Sequence, residues 1–331
     1  MYRWMYAATL LLLSCGTQVK ETALPVVERL DPGLDSLVDR DARPEILARG
    51  FGWTEGPLWL ESTQTLLFSD IPGNAVHAWT EKGGTSLYLK PSGYTGSAPR
   101  GGETGANGLA LNHRGQLVLC QHGNRQVAVM TAALDQPKAA YEPLAAAYEG
   151  QRFNSPNDLV FDRTGNLYFT DPPYGLEKNM EDPSKEMPFQ GVFRRDTAGA
   201  ITLLTDTITR PNGILLTRDE RHLIVANSDP EKPYWYLYDL SPQGTLSNGR
   251  IFYDATAASK KDQGMPDGLK TDAGGNIFAT GPGGVWIFHA SGRLLGRIRY
   301  PELVSNCALT PDGKTLFLTA DDYLVRVRLR K

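Results

Sequence analysis

Asn157-Asp158-Leu159-Val160-Phe161-Asp162-Arg163-Thr164-Gly165-Asn166-Leu167-Tyr168-Phe169 reads as two oxygen-bearing residues, a short apolar run, a polar turn built on glycine and a second apolar run. Runs this short are strand-sized, and the Asp-Arg-Thr-Gly-Asn link carries the Gly and Asx residues that tight hairpin connections need. The plan recurs at Glu55-Gly56-Pro57-Leu58-Trp59, Asn107-Gly108-Leu109-Ala110-Leu111, Asn212-Gly213-Ile214-Leu215-Leu216, Asp267-Gly268-Leu269-Lys270-Thr271 and Asn306-Cys307-Ala308-Leu309-Thr310. Second runs follow at similar offsets, as in Leu66-Leu67-Phe68, Leu117-Val118-Leu119 and Leu316-Phe317-Leu318. Two more strands fit in each unit, for example Val285 to Phe288 and then Leu294 to Arg299. Units of four strands, repeating about every 40 to 55 residues, predict an all-β chain folded as a six-bladed β-propeller. A sandwich or barrel would not generate six similar units. No long helical periodicity competes, although the Ala-rich stretch 139–148 has room for a turn of helix.

Working outward, the propeller is expected over residues 46–331. The 331 residues carry 34 basic against 37 acidic side chains, a net charge of −3. With no long run of like charge to track a phosphate backbone, nucleic acid is an unsuited partner. At the N-terminus, Arg3 precedes an apolar run, Tyr6 to Leu13, that is too short to span a bilayer and ends in Ser14-Cys15-Gly16. Residues 1–15 are therefore expected to be a secretory signal. The order Leu12-Leu13-Ser14-Cys15 resembles a bacterial lipobox, which would make the protein an exported periplasmic or cell-envelope lipoprotein anchored through Cys15. Residues 16–45, rich in charge and with Pro25, Pro32 and Pro44, read as a tether leading to an edge segment. The remaining cysteines, Cys120 and Cys307, sit in apolar strand-like surroundings and are expected to be buried thiols.

The first strand of every blade lines the central channel of a propeller, so the lead residues form a ring: Glu55, Asn107, Asn157, Asn212, Asp267 and Asn306. Every member offers oxygen. Pro156, Pro211 and Pro266 precede three of them, and proline restricts the backbone enough to pre-orient the side chain that follows. Carboxylates and amides without histidine suit a hard cation such as Ca²⁺ better than Zn²⁺. The plainer reading is that Asx residues only bond nearby backbone at strand entrances. For Asn107 and Asn306 that reading leads. For Glu55, Asn212 and Asp267 the metal reading leads, because the carboxylates would face one another with no Lys or Arg at an equivalent position.

Glu55-Gly56-Pro57, Ser155-Pro156-Asn157-Asp158, Pro211-Asn212-Gly213 and Pro266-Asp267-Gly268, in this order, resemble the senescence-marker-protein/gluconolactonase/luciferin-regenerating family from about residue 50 onward. The resemblance implies a divalent metal on Glu55, Asn157, Asn212 and Asp267, and hydrolysis of lactones with Asp267 in an acid/base role. A cation with open positions would polarise the ester carbonyl and activate water. One departure bears on substrate: Ser155 stands where sugar-lactone members often carry Arg, which puts a sugar lactone in doubt and leaves a lactone or ester open. Asn107, Asn157 and Tyr174 are expected to contact substrate, and His122, after a second strand, is a further candidate base at the channel mouth. The long insertion between Tyr174 and Gly191 is a candidate lid. Rival readings are an aryl or phosphate esterase using the same site, and a non-enzymatic envelope lipoprotein that binds a sugar or protein around a structural metal.

Overall fold

The Gly and Asx turns between apolar runs return the chain on itself, so each repeat closes as an antiparallel sheet. A computed structural model describes residues 26–330. Blade 1 holds strands Thr54–Leu60, Thr65–Asp70, Ala75–Thr80 and Gly84–Leu89. Blades 2, 3, 4 and 5 begin with Ala106–Leu111, Leu159–Phe161, Pro211–Leu216 and Leu269–Thr271, and each continues outward through three further strands. Blade 6 contains Val304–Leu309, Thr315–Ala320 and Tyr323–Arg328, and its outer strand is Pro44–Arg49 from the other end of the chain. That pairing closes the ring by joining strands from the two ends of the propeller in one blade. The six-bladed all-β architecture expected from the repeats is the one observed.

Three stretches differ from the sequence reading. Val27–Arg29, within the expected tether, adds a fifth strand to blade 5 by pairing with Gly296 to Ile298. Leu34, Val38 and Ala42 then join the apolar cluster shared by blades 5 and 6. The propeller therefore takes in the chain from about residue 26 onward, and the boundary expected at 46 falls inside a strand. Prolines and charges on the outward face of these edge segments hid their buried residues. The Ala-rich stretch is likewise strand, with Tyr141–Ala145 as the outer strand of blade 2 and Ala147–Tyr148 in a small hairpin. The expected signal, the lipobox and Cys15 lie outside the described residues. Among the described residues no helix is long and apolar enough to cross a membrane.

Apolar clusters fill the blade interfaces, such as Phe153, Phe169 and Phe193 between blades 2 and 3 and Trp235, Trp286 and Phe288 between blades 4 and 5. Near the channel, small hydroxyls lace one blade to the next. Ser69 Oγ donates to Asn107 O at 2.8 Å, Thr170 Oγ1 to Asn212 O at 2.7 Å and Thr280 Oγ1 to Ser305 O at 2.8 Å. Ser305 Oγ completes the circle by donating to Thr54 O at 2.7 Å. Gly56, Gly108, Gly213 and Gly268, which follow four of the six lead residues, have their reason in the same place. A Cβ at Gly56 would stand 2.1 Å from Asn107 O, and one at Gly213 would stand 2.2 Å from Asp267 O, so only glycine lets adjacent first strands approach this closely.

Candidate metal and substrate site

The lead residues are aimed by the turns that deliver them. An Asx side chain at the end of a second strand accepts backbone N–H groups from the segment entering the first strand of the same blade. Asp70 Oδ1 takes Gly52 N at 3.0 Å, three residues before Glu55. Asp171 takes Asn154 N and Ser155 N, each at 2.8 Å, just before Asn157. Asn227 Oδ1 takes Arg210 N at 2.8 Å, just before Asn212. Burial pushes the Asp171 carboxyl up to about 7 against these two donors. These strand-end Asx residues thus anchor the segments that carry the ring.

Glu55, Asn107, Asn157, Asn212, Asp267 and Tyr174 line one cavity of about 180 Å³ at the entrance to the channel. Asn107 Oδ1, Asn157 Oδ1 and Asp267 Oδ1 are buried and have no hydrogen-bond partner. Asn212 Nδ2 donates to Ser228 Oγ at 2.9 Å, and Ser228 Oγ donates to Pro266 O at 2.7 Å, which turns the Asn212 amide by its nitrogen and leaves its oxygen over. Burial, with the nearby Asp158 charge, pushes Glu55 up to about 8. Burial and then Glu55 itself hold Asp267 well above the usual carboxylate range. Each orphaned buried acceptor costs about 1–3 kcal/mol, and two carboxylates that resist ionising together add to that. One hard cation would satisfy all of these groups at once, and the carboxylate and amide oxygens present fit it. Among the described residues no three His, Cys, Asp or Glu side chains gather to hold a metal, so amide oxygens must complete the set.

Asn306, the sixth ring member, stands apart. Its Oδ1 accepts Cys307 N at 2.9 Å and Lys270 Nζ at 3.2 Å, while its Nδ2 donates to Glu55 Oε2 at 3.3 Å. It braces Glu55 from below instead of lining the cavity. Asn107 reverses the expectation in the other direction, since its oxygen is free and in the cavity rather than bonded to backbone. Lys270 also supplies a cation that the ring positions lacked, with Nζ 3.9 Å from Asp158 Oδ2.

His122 does not line the cavity. It is fully buried one residue back, with Nδ1 2.8 Å from Glu103 Oε2, and Glu103 is the side chain that reaches the cavity. Tyr174 is the only residue of the 174–191 insertion on the cavity wall. The rest packs against blades 2 and 3, where Met187 is buried and Ser184 O accepts Arg125 Nη1 at 2.8 Å, so the insertion is docked beside the site and not drawn across it. Glu103, Ser228 and Trp53 were missed from the sequence. Ser228 carried a usable signal, since it directly follows a second strand, one position beyond Asn227, the counterpart of Asp171. Glu103 sits in Gly101-Gly102-Glu103-Thr104-Gly105, an irregular link with no periodicity to mark it. A larger cavity of about 710 Å³, lined by Leu60, Tyr88 and Leu134, lies at the opposite end of the first strands and gathers no comparable set of oxygens.

Known proteins resemble this chain in sequence and in fold. The chain is 38% identical over 92% of its length to a gluconolactonase from Zymomonas mobilis, covering 86% of that protein. A pentonolactonase from Haloferax volcanii is 27% identical, with 80% of each chain covered. Among solved structures, a gluconolactonase from Xanthomonas campestris superposes with a TM-score of 0.78 at 30% identity, covering 92% of this chain and 95% of that one. Residues 53–322 match the family described as the SMP-30/Gluconolactonase/LRE-like region, and the chain belongs to that family.

Proposed function

We propose that the chain is a lactone hydrolase whose cavity holds one divalent cation, with Ca²⁺ the first choice, on Glu55, Asn157, Asn212 and Asp267. The observation that carries this reading is the set of buried, unpartnered oxygens of Asn107, Asn157 and Asp267 in a cavity shared with Glu55. The lactonases among the relatives support the substrate class. Bound there, a divalent cation supplies Lewis acidity to an ester carbonyl and to water.

The chain's own groups do the rest. Asp267 accepts the proton of the attacking water through an oxygen not committed to the cation. Asn107 presents its amide to the substrate. Tyr174 stays protonated at neutral pH because burial and the Asp267 charge raise its hydroxyl, so it serves as a hydrogen-bond donor fixed beside Ser228. Trp53, Ile71 and Met265 add apolar wall that limits water around the ring.

The test is a panel of lactones, an aryl ester and a phosphate ester, assayed after chelation and after return of Ca²⁺, Mg²⁺, Mn²⁺ or Zn²⁺ in turn. Lactone turnover that vanishes with chelator and returns with one cation is the expected result. Turnover of only the aryl or phosphate ester would replace the substrate class, and no turnover at all with a cation still bound would favour a binding module. Export and lipid attachment at Cys15 belong to the same proposal, and fatty-acid labelling that persists in Cys15→Ala would refute the anchor.

A further inference from the structure

We infer that a second cavity, beside the channel mouth and bordered by the 174–191 insertion, binds the phosphate group of a small phosphate monoester through Arg100, Arg125 and Arg152. The inference depends on neither the cation nor the lactonase reading.

This cavity, of about 460 Å³, is lined by Arg100, Arg125, Arg152 and Lys178 and shares no residue with the ring cavity. Each arginine comes from a different segment: the link 95–105 between blades 1 and 2, the turn after the second strand of blade 2, and the short strand Gln151–Arg152. Neutral oxygens hold the guanidiniums in place. Arg100 donates from its terminal nitrogens to Gly123 O and Gly175 O. Arg125 donates from Nε to Phe153 O at 2.6 Å and from Nη1 to Ser184 O at 2.8 Å, and Arg152 Nη2 reaches Asn124 O at 3.4 Å. Carbonyls fix a guanidinium without cancelling its charge. Among the described residues neither Arg100 nor Arg152 pairs with a carboxylate, and Arg125 meets Glu186 only at 3.7 Å.

Arg125 Nη2 points to a missing partner. The side chain is 3% exposed, and this nitrogen is buried with no hydrogen-bond acceptor. A charged donor left so is more costly than a neutral one. Burial first, and the Arg152 charge after it, lower the pKa of Arg125, and both act in the same sense on Arg100. The acids nearby are engaged with the backbone and so do not fill the gap. Asp182 accepts Lys178 N and Ser184 N, each at 2.9 Å, and Ser184 Oγ at 2.6 Å. Glu186 Oε2 accepts Arg152 N at 2.7 Å. Glu177 lies on the link, where a Cβ at Gly101 would stand 2.7 Å from its Oε1. Three guanidiniums, with N–H groups to spare, offer more donors than the two oxygens of a carboxylate can take up, whereas a phosphate monoester brings three acceptor oxygens and close to two charges. The volume leaves room for its organic part.

Calorimetric titration with methyl phosphate at low ionic strength, on the cation-loaded protein and on the chelated one, tests this. A Kd of about 1 mM or tighter is expected, weakened several-fold by about 0.5 M NaCl because the site is an open, screened one. The two forms should agree within about twofold, since a phosphate held on the ring cation would be lost with the cation. Arg152→Gln should raise Kd by about tenfold, and Arg125→Lys, which keeps the charge and loses the Nη2 arm, by a similar factor. Melting temperatures report whether the variants fold, and Arg152, on the exposed rim, carries the test if Arg125→Lys does not. Absence of saturable binding, binding lost on chelation, acetate bound as tightly as methyl phosphate, or a Kd unchanged in Arg152→Gln would each overturn the assignment. A protein that hydrolyses no lactone and still binds methyl phosphate in this way would lose the lactonase reading and keep this site.

Discussion

Blades 3 and 6 begin with the same residue at the same repeat position and use it in opposite ways. Asn157 enters after a proline, on a segment held by Asp171, and its Oδ1 ends up buried in the cavity with no partner. Asn306 enters without a proline, folds its Oδ1 back onto Cys307 N and takes Lys270 Nζ on the same oxygen. One amide is kept hungry and the other is fully fed. Repeat position puts a side chain at the axis, but the fate of its oxygen decides whether it can serve a cation. The unpartnered acceptors are a cost borne by the fold for the sake of the site.

The hardest blow to this contrast comes from Asp267→Asn, which preserves an amide-type oxygen at the ring while removing the proton acceptor. With saturating cation, kcat on a responsive lactone is expected to drop by about 10³-fold, within the range for loss of a general base, and the melting temperature to hold. Turnover within a few-fold of wild type would remove Asp267 from the chemistry. Next in size is the pair Asn157→Ala and Asn306→Ala. The first should weaken cation binding by about 100-fold and leave the cation-free protein as stable as before or more so, because an orphaned acceptor has gone. The second should weaken binding by about tenfold, as loss of a group orienting a ligand does, and should lower the cation-free melting temperature because Lys270 and Glu55 lose a partner. Calorimetric titration and thermal melts read both, and identical behaviour of the two variants would erase the distinction drawn between the blades.

Much of this is legible in the sequence, and the boundary of legibility has a physical basis. Pro-Asx-Gly at Pro211-Asn212-Gly213 and Pro266-Asp267-Gly268 compresses three constraints into three adjacent residues: a fixed backbone approach, an oxygen ligand and a close blade contact. Local sequence therefore carries the ring. It does not carry Glu103, which reaches the cavity through Arg100 bonds to two glycine carbonyls distant in sequence. Asn107 and Asn306 look alike as text, and the Lys270 contact that separates their roles spans 36 residues. The strand Pro44–Arg49 was obscured because its pairing partner lies at the other end of the chain, and its half-buried to exposed residues resemble a linker.

Gly213→Ala perturbs the seam on which both blade 4 and blade 5 depend. The added methyl would sit 2.2 Å from Asp267 O, a contact that backbone must yield to. Overpacking of this kind costs about 1–3 kcal/mol. A melting temperature lowered by several degrees together with weaker cation binding is expected, because the displaced carbonyl belongs to Asp267. Gly115→Ala is the matching control, since nothing lies within 4 Å of its added Cβ and only its positive φ of 71° is strained. Equal effects on cation affinity from the two substitutions would mean that the seam does not set the ring.

The gentlest probe is pH, and its sign follows from the shift. In the cation-free protein burial holds Glu55 at about 8 against an ordinary 4.5, so the folded chain keeps a proton that the unfolded chain has released across that window. Stability of the chelated protein is therefore greatest at the acid end and declines as pH rises through the window towards 8, by at most about 1.4 kcal/mol per pH unit for each proton retained. Asp267, raised by the same burial and by Glu55, pulls in the same direction. A cation binds the deprotonated pair, so its affinity must climb over the same interval, and saturating Ca²⁺ should flatten or invert the slope. Denaturant unfolding at pH 5, 6, 7 and 8, with chelator and with Ca²⁺, measures both arms. Glu55→Gln should make the chelated curve shallower, leaving the slope that the burial of Asp267 contributes. A chelated protein that grows more stable from pH 5 to 8 would show that Glu55 and Asp267 ionise freely, and the unpaired oxygens around them would then need a different explanation from a missing cation.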